Sequence, residues 1–218
     1  MLCDNLSIDE LQSRLDGGGV IEFEKPAVVM LTGSKGRRDI VRAAGLPWLL
    51  LKSDFDEDAV KIDEGLVNTW QKAEEYCKDL ARRKLAAVKN AFIKVAVICA
   101  DTVVFNKRLL EKPRTEAEVY EMIRGLNGSK HQVITGVSVG KLGVKDSYIT
   151  TFACVSEVLL SGVTEELIAE MIRRENPYAC SGGYTIDGIL SPYFKVLSGS
   201  RDNVIGLPLR ETVEALGS

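Results

Sequence analysis

The chain has 218 residues, 45% hydrophobic and 27% charged, with a formal net charge of −3. This is the balance of a globular protein with one large domain or two small ones, and it offers no overall attraction to nucleic acid or to an anionic membrane. No apolar run approaches the roughly 20 residues that span a bilayer, and the acidic N-terminus lacks the apolar core of a secretory signal, so a cytoplasmic location is expected.

Residues 1–26 read as an extension. Ile8, Leu11 and Leu15 have helical spacing behind Ser7 as N-cap, and Gly17-Gly18-Gly19 ends that helix. Lys25-Pro26 marks a boundary before the first core strand, Ala27–Leu31, so the main domain is expected over 27–218. The strand runs into Thr32-Gly33-Ser34-Lys35-Gly36-Arg37-Arg38, and a helix follows from Asp39 to Ala44. Strand, Gly-rich turn and helix is an arrangement that aims backbone N–H groups at an anion, and Lys35, Arg37 and Arg38 add charge there. GxxxxGK[ST] is absent, and a tight turn with solvated basic residues has the same pattern. Trp48–Leu51 reads as a second strand, leading to an acidic loop from Asp54 to Asp58. Such a loop is either a solvated turn or a source of oxygen ligands for a hard cation.

A long helix is expected from Leu66 to Phe92, with Trp70, Ala73, Tyr76, Cys77, Leu80, Ala81, Leu85 and Val88 in its apolar stripe. Val95 to Ala100 then has the composition of a strand buried on both faces and ends abruptly in Asp101-Thr102. A carboxylate at the end of such a strand sits where ligands bind in α/β sheets. If Asn106-Lys107 is a two-residue turn, Phe105 pairs with Arg108 and Lys112 falls opposite Asp101. The same spacing also describes an edge hairpin with a surface ion pair.

Thr115 caps a helix to Arg124, with Glu118 completing a capping box. After the turn at Leu126–His131, strands are expected over Gln132–Val139 and Tyr148–Leu160, joined through Gly140–Gly143. A helix from Thr164 to Arg174 follows, then the Ser181-Gly182-Gly183-Tyr184 turn, short strands around Ile186 and Phe194–Leu197, and a terminal helix over Thr212–Leu216. Alternating strands and helices followed by clustered strands predict an α/β protein with a mixed twisted sheet, flanking helices and two lobes around a cleft. Cys3, Cys77, Cys99, Cys154 and Cys180 contain no CxxC pair, which favours buried free thiols in a reducing compartment. The single histidine, His131, excludes any site needing two imidazoles.

Five stretches in this order, VMLTGSKGRR, LARRKLA, VICADTVV with LEKP, NGSKHQVITGV, and SGGYTIDG with NVIGLPL, together resemble the Maf family of nucleoside triphosphate pyrophosphatases. They extend over Ala27 to Leu216. The resemblance implies the family's α/β fold, related to the inosine triphosphatase-like pyrophosphatases, with two lobes around a deep cleft. It also implies metal-dependent hydrolysis of a nucleoside triphosphate to the monophosphate and pyrophosphate. Mg²⁺, or Mn²⁺ or Co²⁺ in its place, is the implied ion, and a homodimer the implied assembly, with no nucleic-acid or membrane partner.

By the same resemblance Asp101, Lys84 and Lys112 are the catalytic residues and Asp56, Glu57 and Asp101 the metal ligands, Asp101 either activating water as a general base or holding the metal. Gly33, Ser34, Lys35, Gly36, Arg37, Thr102 and Asp187 are the substrate-binding residues, and Arg38 is outside that set. Ala100-Asp101-Thr102 resembles the branch that prefers dTTP and UTP, with CTP or modified pyrimidine nucleotides as further substrates. The chain departs from the family where Gly33, Lys35 and Gly36 replace two serines and a proline, at a hairpin one residue short, at Asp187 where Gln is common, and at Cys180 where Lys is common. A nucleotide-binding regulator of cell division with weak or lost turnover is the alternative. His131 is expected to be a packing residue, Cys99 a core residue, and Tyr184 either a core aromatic or a base-stacking one.

Overall fold

The structure, a computed structural model, describes residues 6–53, 55, 60, 67–88, 91–142 and 148–217. Helix α1 (Ile8–Asp16) opens the described chain, capped by Ser7 in a reciprocal capping box with Glu10. Its Leu11 is buried in a core cluster with Ile21, Phe23, Leu51, Phe92 and Leu142. Strand β1 (Ile21–Leu31) therefore starts six residues before the expected strand at Ala27. Ile21 pairs with Phe92, and the register shifts between Glu22 and Ala27, next to Pro26, which has no N–H to give to a ladder.

Helix α2 (Lys35–Ala43) follows at once, then strand β2 (Leu49–Leu51). Helix α3 (Trp70–Val88) is shorter than expected: Phe92 belongs to strand β3 (Phe92–Asn106), where it is fully buried, and Trp70, counted in the apolar stripe, is exposed. Strand β4 (Arg108–Leu110) and helix α4 (Glu116–Leu126) come next. Thr115 caps α4, but the Glu118 carboxylate accepts from the Arg114 N–H instead of closing a box on Thr115. Strands β5 (Ser129–Leu142) and β6 (Tyr148–Leu160) lead to helix α5 (Glu165–Arg174), whose N-cap is Thr164.

The expected strand around Ile186 does not form. Between Pro177 and Tyr193 the chain makes three short 3-10 turns, and Gly182 and Gly183 both take positive φ. Strand β7 (Phe194–Ser198), helix α6 (Arg201–Ile205) and helix α7 (Leu209–Leu216) complete the chain.

The seven strands form one mixed sheet in the order β2-β1-β3-β5-β6-β7, with β4 added to β3. β2, β1 and β3 are parallel, and the remaining pairs are antiparallel. This is the mixed α/β sheet with flanking helices that the residue pattern predicts. No helix among the described residues is long and apolar enough to cross a membrane.

Strand β3 is central. Along one edge it pairs with β5 from Val95 to Phe105. Along the other it pairs with β1 as far as Cys99 and with β4 only from Val104. Among the described residues, Ala100 to Val103 therefore have no strand partner on that second edge. This break, beyond the C-terminal ends of parallel strands, is where α/β sheets receive ligands.

Candidate active site

Asp101 and Thr102 occupy the break, and because successive residues of a strand point to opposite faces, they serve different sides of the sheet. On the face covered by α3, Lys84 Nζ lies 2.5 Å from Asp101 Oδ1 and 3.4 Å from the Ala100 carbonyl oxygen. Lys84 and Asp101 retain 5% and 7% exposure. Two opposite charges thus share a nearly dry pocket, where breaking the pair costs far more than it would at the surface.

Helix α3 comes close enough for this because Gly136, the register partner of Asp101 on β5, has no side chain. A Cβ there would lie 2.4 Å from the Cys77 carbonyl oxygen. The Cys77 thiol fills the junction: Sγ is 3.1 Å from the Asp101 carbonyl oxygen and 3.1 Å from the Gly136 nitrogen. Burial pushes the Cys77 thiol well up, and Cys99 up to about 12, so both are inert packing groups, as expected for Cys99.

On the opposite face Arg37 reaches Thr102. Its Nη2 donates to Thr102 Oγ1 at 2.9 Å and its Nε to the Gly206 carbonyl at 2.7 Å. Gly206 follows α6 with φ +119, and a Cβ would fall 2.9 Å from Thr102 Oγ1 and 3.3 Å from Arg37 Nε. Both facts require glycine there. Gly206 was not a sequence candidate, although it lies in the NVIGLPL stretch. Thr135 and Asn203, buried behind Thr102, were missed as well. Thr135 lies in the NGSKHQVITGV stretch and Asn203 in NVIGLPL, but nothing in either stretch marks the individual residue.

The remaining candidates are distributed as follows. Ser34 is the N-cap of α2, its Oγ accepting from the Arg37 N–H at 3.4 Å, so the expected Gly-rich turn contracts to Thr32-Gly33-Ser34. Gly36 lies inside the helix, and a Cβ there would meet Ile205 Cγ2 at 2.7 Å, which makes it a packing glycine between α2 and α6. A Cβ on Gly33 would meet nothing within 4 Å, so its backbone is open to a neighbour. Lys35 is 85% exposed in an ion pair with Asp39. Asp187 is held by Arg201, whose Nε lies 3.0 Å from Oδ1. Asp56 and Glu57 lie outside the described residues.

Lys112 is exposed and close enough to Cys180 to act on it electrostatically. The expected hairpin register is off by one residue. Asn106 pairs with Arg108, Phe105 with Leu109 and Val104 with Leu110, and the pairing ends there, so Lys112 is not opposite Asp101. Asn106 is held in the strand because its amide donates to the Gly125 carbonyl at 3.0 Å, leaving Lys107 alone at the tip with φ 60.

His131 and Tyr184 are core residues. His131 Nε2 and Tyr184 Oη are 2.8 Å apart, and Tyr184 also packs on Phe194 with ring centroids 4.5 Å apart. Burial lowers His131 to about 4, so its imidazole is neutral near pH 7. The SGGY turn is tied to the site strand through Ser181 Oγ, which donates to the Thr102 carbonyl at 2.9 Å.

Among the described residues no three His, Cys, Asp or Glu side chains gather as a metal cage. Asp101 nevertheless suits a small hard cation. Lys84 occupies Oδ1, and among the described residues Oδ2 remains as the kind of single carboxylate oxygen that Mg²⁺ combines with water and substrate phosphates.

The family model for Maf-like protein matches residues 27–218. The dTTP/UTP pyrophosphatase of Bacillus mycoides (strain KBAB4) is 30% identical over 190 residues, covering 87% of this chain and 93% of the relative. The protein of the same name from Alkaliphilus oremlandii (strain OhILAs) is 32% identical over 183 residues, 84% of this chain and 90% of the relative. That of Clostridium novyi (strain NT) is 28% identical over 192 residues, 87% of this chain and 96% of the relative.

Proposed function

The chain belongs to the Maf-like protein family, and from that premise we propose that it hydrolyses pyrimidine nucleoside triphosphates, dTTP and UTP first, to the monophosphate and pyrophosphate. The observation that carries this is the Lys84–Asp101 pair at the break in β3, one residue from the Arg37–Thr102 contact. It sets a carboxylate and a fixed guanidinium around one strand edge. The names of the relatives support the reaction and the base class.

The reaction is an in-line displacement. A water oxygen bonds to the α-phosphorus as its bond to the α–β bridging oxygen breaks, and pyrophosphate leaves with that oxygen. Asp101 acts through Oδ2, either as the general base that takes the water proton or as a ligand that holds the metal. Lys84 holds the carboxylate in place and compensates its charge. Arg37 and the exposed Lys112 face the triphosphate, whose roughly four negative charges must be neutralised for the leaving group to depart. The open backbone at Gly33 and the first N–H groups of α2 add an anion-binding edge. A divalent cation, Mg²⁺ or in its place Mn²⁺ or Co²⁺, would be held by Asp101 Oδ2 with Asp56 and Glu57, and supplies Lewis-acid neutralisation of phosphate oxygens when bound.

In this reading residues 27–218 are the catalytic domain, in two lobes around a cleft, and residues 1–26 an N-terminal extension whose last residues, from Ile21, already run in β1. The protein works in the cytoplasm as a homodimer. The test is pyrophosphate release from dTTP, UTP, CTP, GTP, ITP and 7-methyl-GTP with and without Mg²⁺ or Mn²⁺. Metal-dependent release from dTTP or UTP, lost in Asp101→Asn, is the expected result. Nucleotide binding by the folded protein without turnover on any of them would overturn the enzyme reading in favour of a regulator.

A further inference from the structure

We propose that Thr135, buried on β5 behind the site, is a positioning residue that locks the Arg37 guanidinium by fixing the direction of a hydrogen-bond chain. The chain runs from Arg37 Nη2 to Thr102 Oγ1 at 2.9 Å, on to Thr135 Oγ1 at 3.0 Å, and ends at the Asn203 carbonyl oxygen at 2.8 Å. A carbonyl only accepts, so the single Thr135 proton goes to Asn203. Thr135 must then accept from Thr102, which commits the Thr102 proton inward and turns a lone pair toward Arg37. Each link permits one direction only, and the first donor is the charged group.

The far end of the chain is rigid. Thr135 has no exposure and Asn203 has 1%. The Asn203 amide donates to the Val133 carbonyl at 3.1 Å and to Ser156 Oγ at 2.9 Å, and Ser156 in turn donates to the Ser200 carbonyl at 3.1 Å. With Nε held by the Gly206 carbonyl, the guanidinium has two of its five N–H groups anchored on one side. Among the described residues the other three have no hydrogen-bond partner and are left to an anion, an orientation that costs no reorganisation when the ligand arrives. It also follows that the Thr102 hydroxyl has no proton to give a substrate. Its part in binding is as the acceptor that holds Arg37.

The test compares Thr135→Val, which keeps the shape and loses the hydroxyl, with Thr135→Ser, which keeps the hydroxyl. Two properties are read: the ¹⁵N order parameter of the Arg37 Nε–H group, and affinity for the α,β-methylene analogue of UTP by calorimetry. Thr135→Val is expected to lower the order parameter from about 0.85 toward 0.6 and to weaken analogue binding about tenfold. Thr135→Ser should keep both, and Thr135→Val should add nothing in an Arg37→Ala background. An unchanged Arg37 order parameter in Thr135→Val, or an affinity loss that persists without Arg37, overturns the proposal. Should Thr135→Val not fold, Thr102→Val breaks the same chain one link earlier, at a half-buried position, and must loosen Arg37 in the same way. The affinity readout rests on Arg37 as a phosphate ligand; the order parameter does not. A wild-type protein that ignores triphosphates would therefore defeat the proposed function and leave the role of Thr135 to be decided by the order parameter.

Discussion

Lys84 Nζ and Asp101 Oδ1 are 2.5 Å apart, and their side chains retain only 6% and 10% exposure. The helix that delivers the ammonium and the strand that delivers the carboxylate are locked by this pair, and removing the ammonium takes a buried countercharge from the Asp101 carboxylate. Lys84→Met is therefore expected to destabilise the protein by about 3 kcal/mol in urea titration. Asp101→Asn keeps an oxygen for Lys84, so it should cost less stability while lowering pyrophosphate release by roughly 10²–10⁴-fold. If Lys84→Met left stability unchanged, the pair would not be buried as described.

Gly206 gives its carbonyl to Arg37 and has no room for a methyl group beside Thr102. In Gly206→Ala the new Cβ would displace Thr102 Oγ1 or Arg37, and the residue would keep a φ of +119 that alanine resists. The expected result is a loss of roughly 1–3 kcal/mol in stability together with a raised KM. A stable variant with an unchanged KM would remove Gly206 from the site.

The sequence pattern places Gly33 and Gly36 together in the backbone of an anion cradle, and substitution separates them. Gly36→Ala meets Ile205 Cγ2, so it should destabilise the fold by about 1–3 kcal/mol. Combined with Ile205→Ala it should cost less than the sum of the two single changes. Gly33→Ala meets nothing within 4 Å and should leave the melting temperature within a degree or two. A weaker affinity for triphosphate in that folded variant would mark the Gly33 backbone as a place of close ligand approach, whereas unchanged affinity would remove it from the binding set.

His131 gives the fold a pH dependence of definite sign. Its buried neutral ring titrates at about 4, against about 6.5 in the unfolded chain, so between these values the unfolded state binds the extra proton. Stability is full above pH 6.5 and falls as the pH drops toward 4, by about 1.4 kcal/mol per pH unit and roughly 3 kcal/mol in all. His131→Gln should lose some stability at pH 7, where the contact with Tyr184 Oη is altered, but should show a flatter profile from pH 6.5 to 4. An equally steep profile in that variant would place the acid sensitivity elsewhere.

Much of this protein was determined locally. The apolar run Val95–Ala100 ending in Asp101, the caps Ser7, Thr115 and Thr164, and the alternation through β5 and β6 depend on neighbours a few residues away, and such short-range preferences can be read from the chain itself. The side-chain roles of His131 and Cys99 followed from the same logic, because their residue type and apolar surroundings already pointed inward. The tertiary structure decided what depended on distant partners. Asn106 stays in the strand with its amide on the Gly125 carbonyl of α4, and with Asn106 paired to Arg108 the register carries Lys112 out of line with Asp101. Whether Gly36 cradles an anion or packs was settled by Ile205, which is remote in sequence. Thr135, Asn203 and Gly206 lie in the NGSKHQVITGV and NVIGLPL stretches, but a hydroxyl, an amide and a glycine acquire a role only when folding places Thr102 and Arg37 against them. A strand records its own burial in its composition, but a hydrogen-bond chain crossing four elements leaves no periodic mark in any of them.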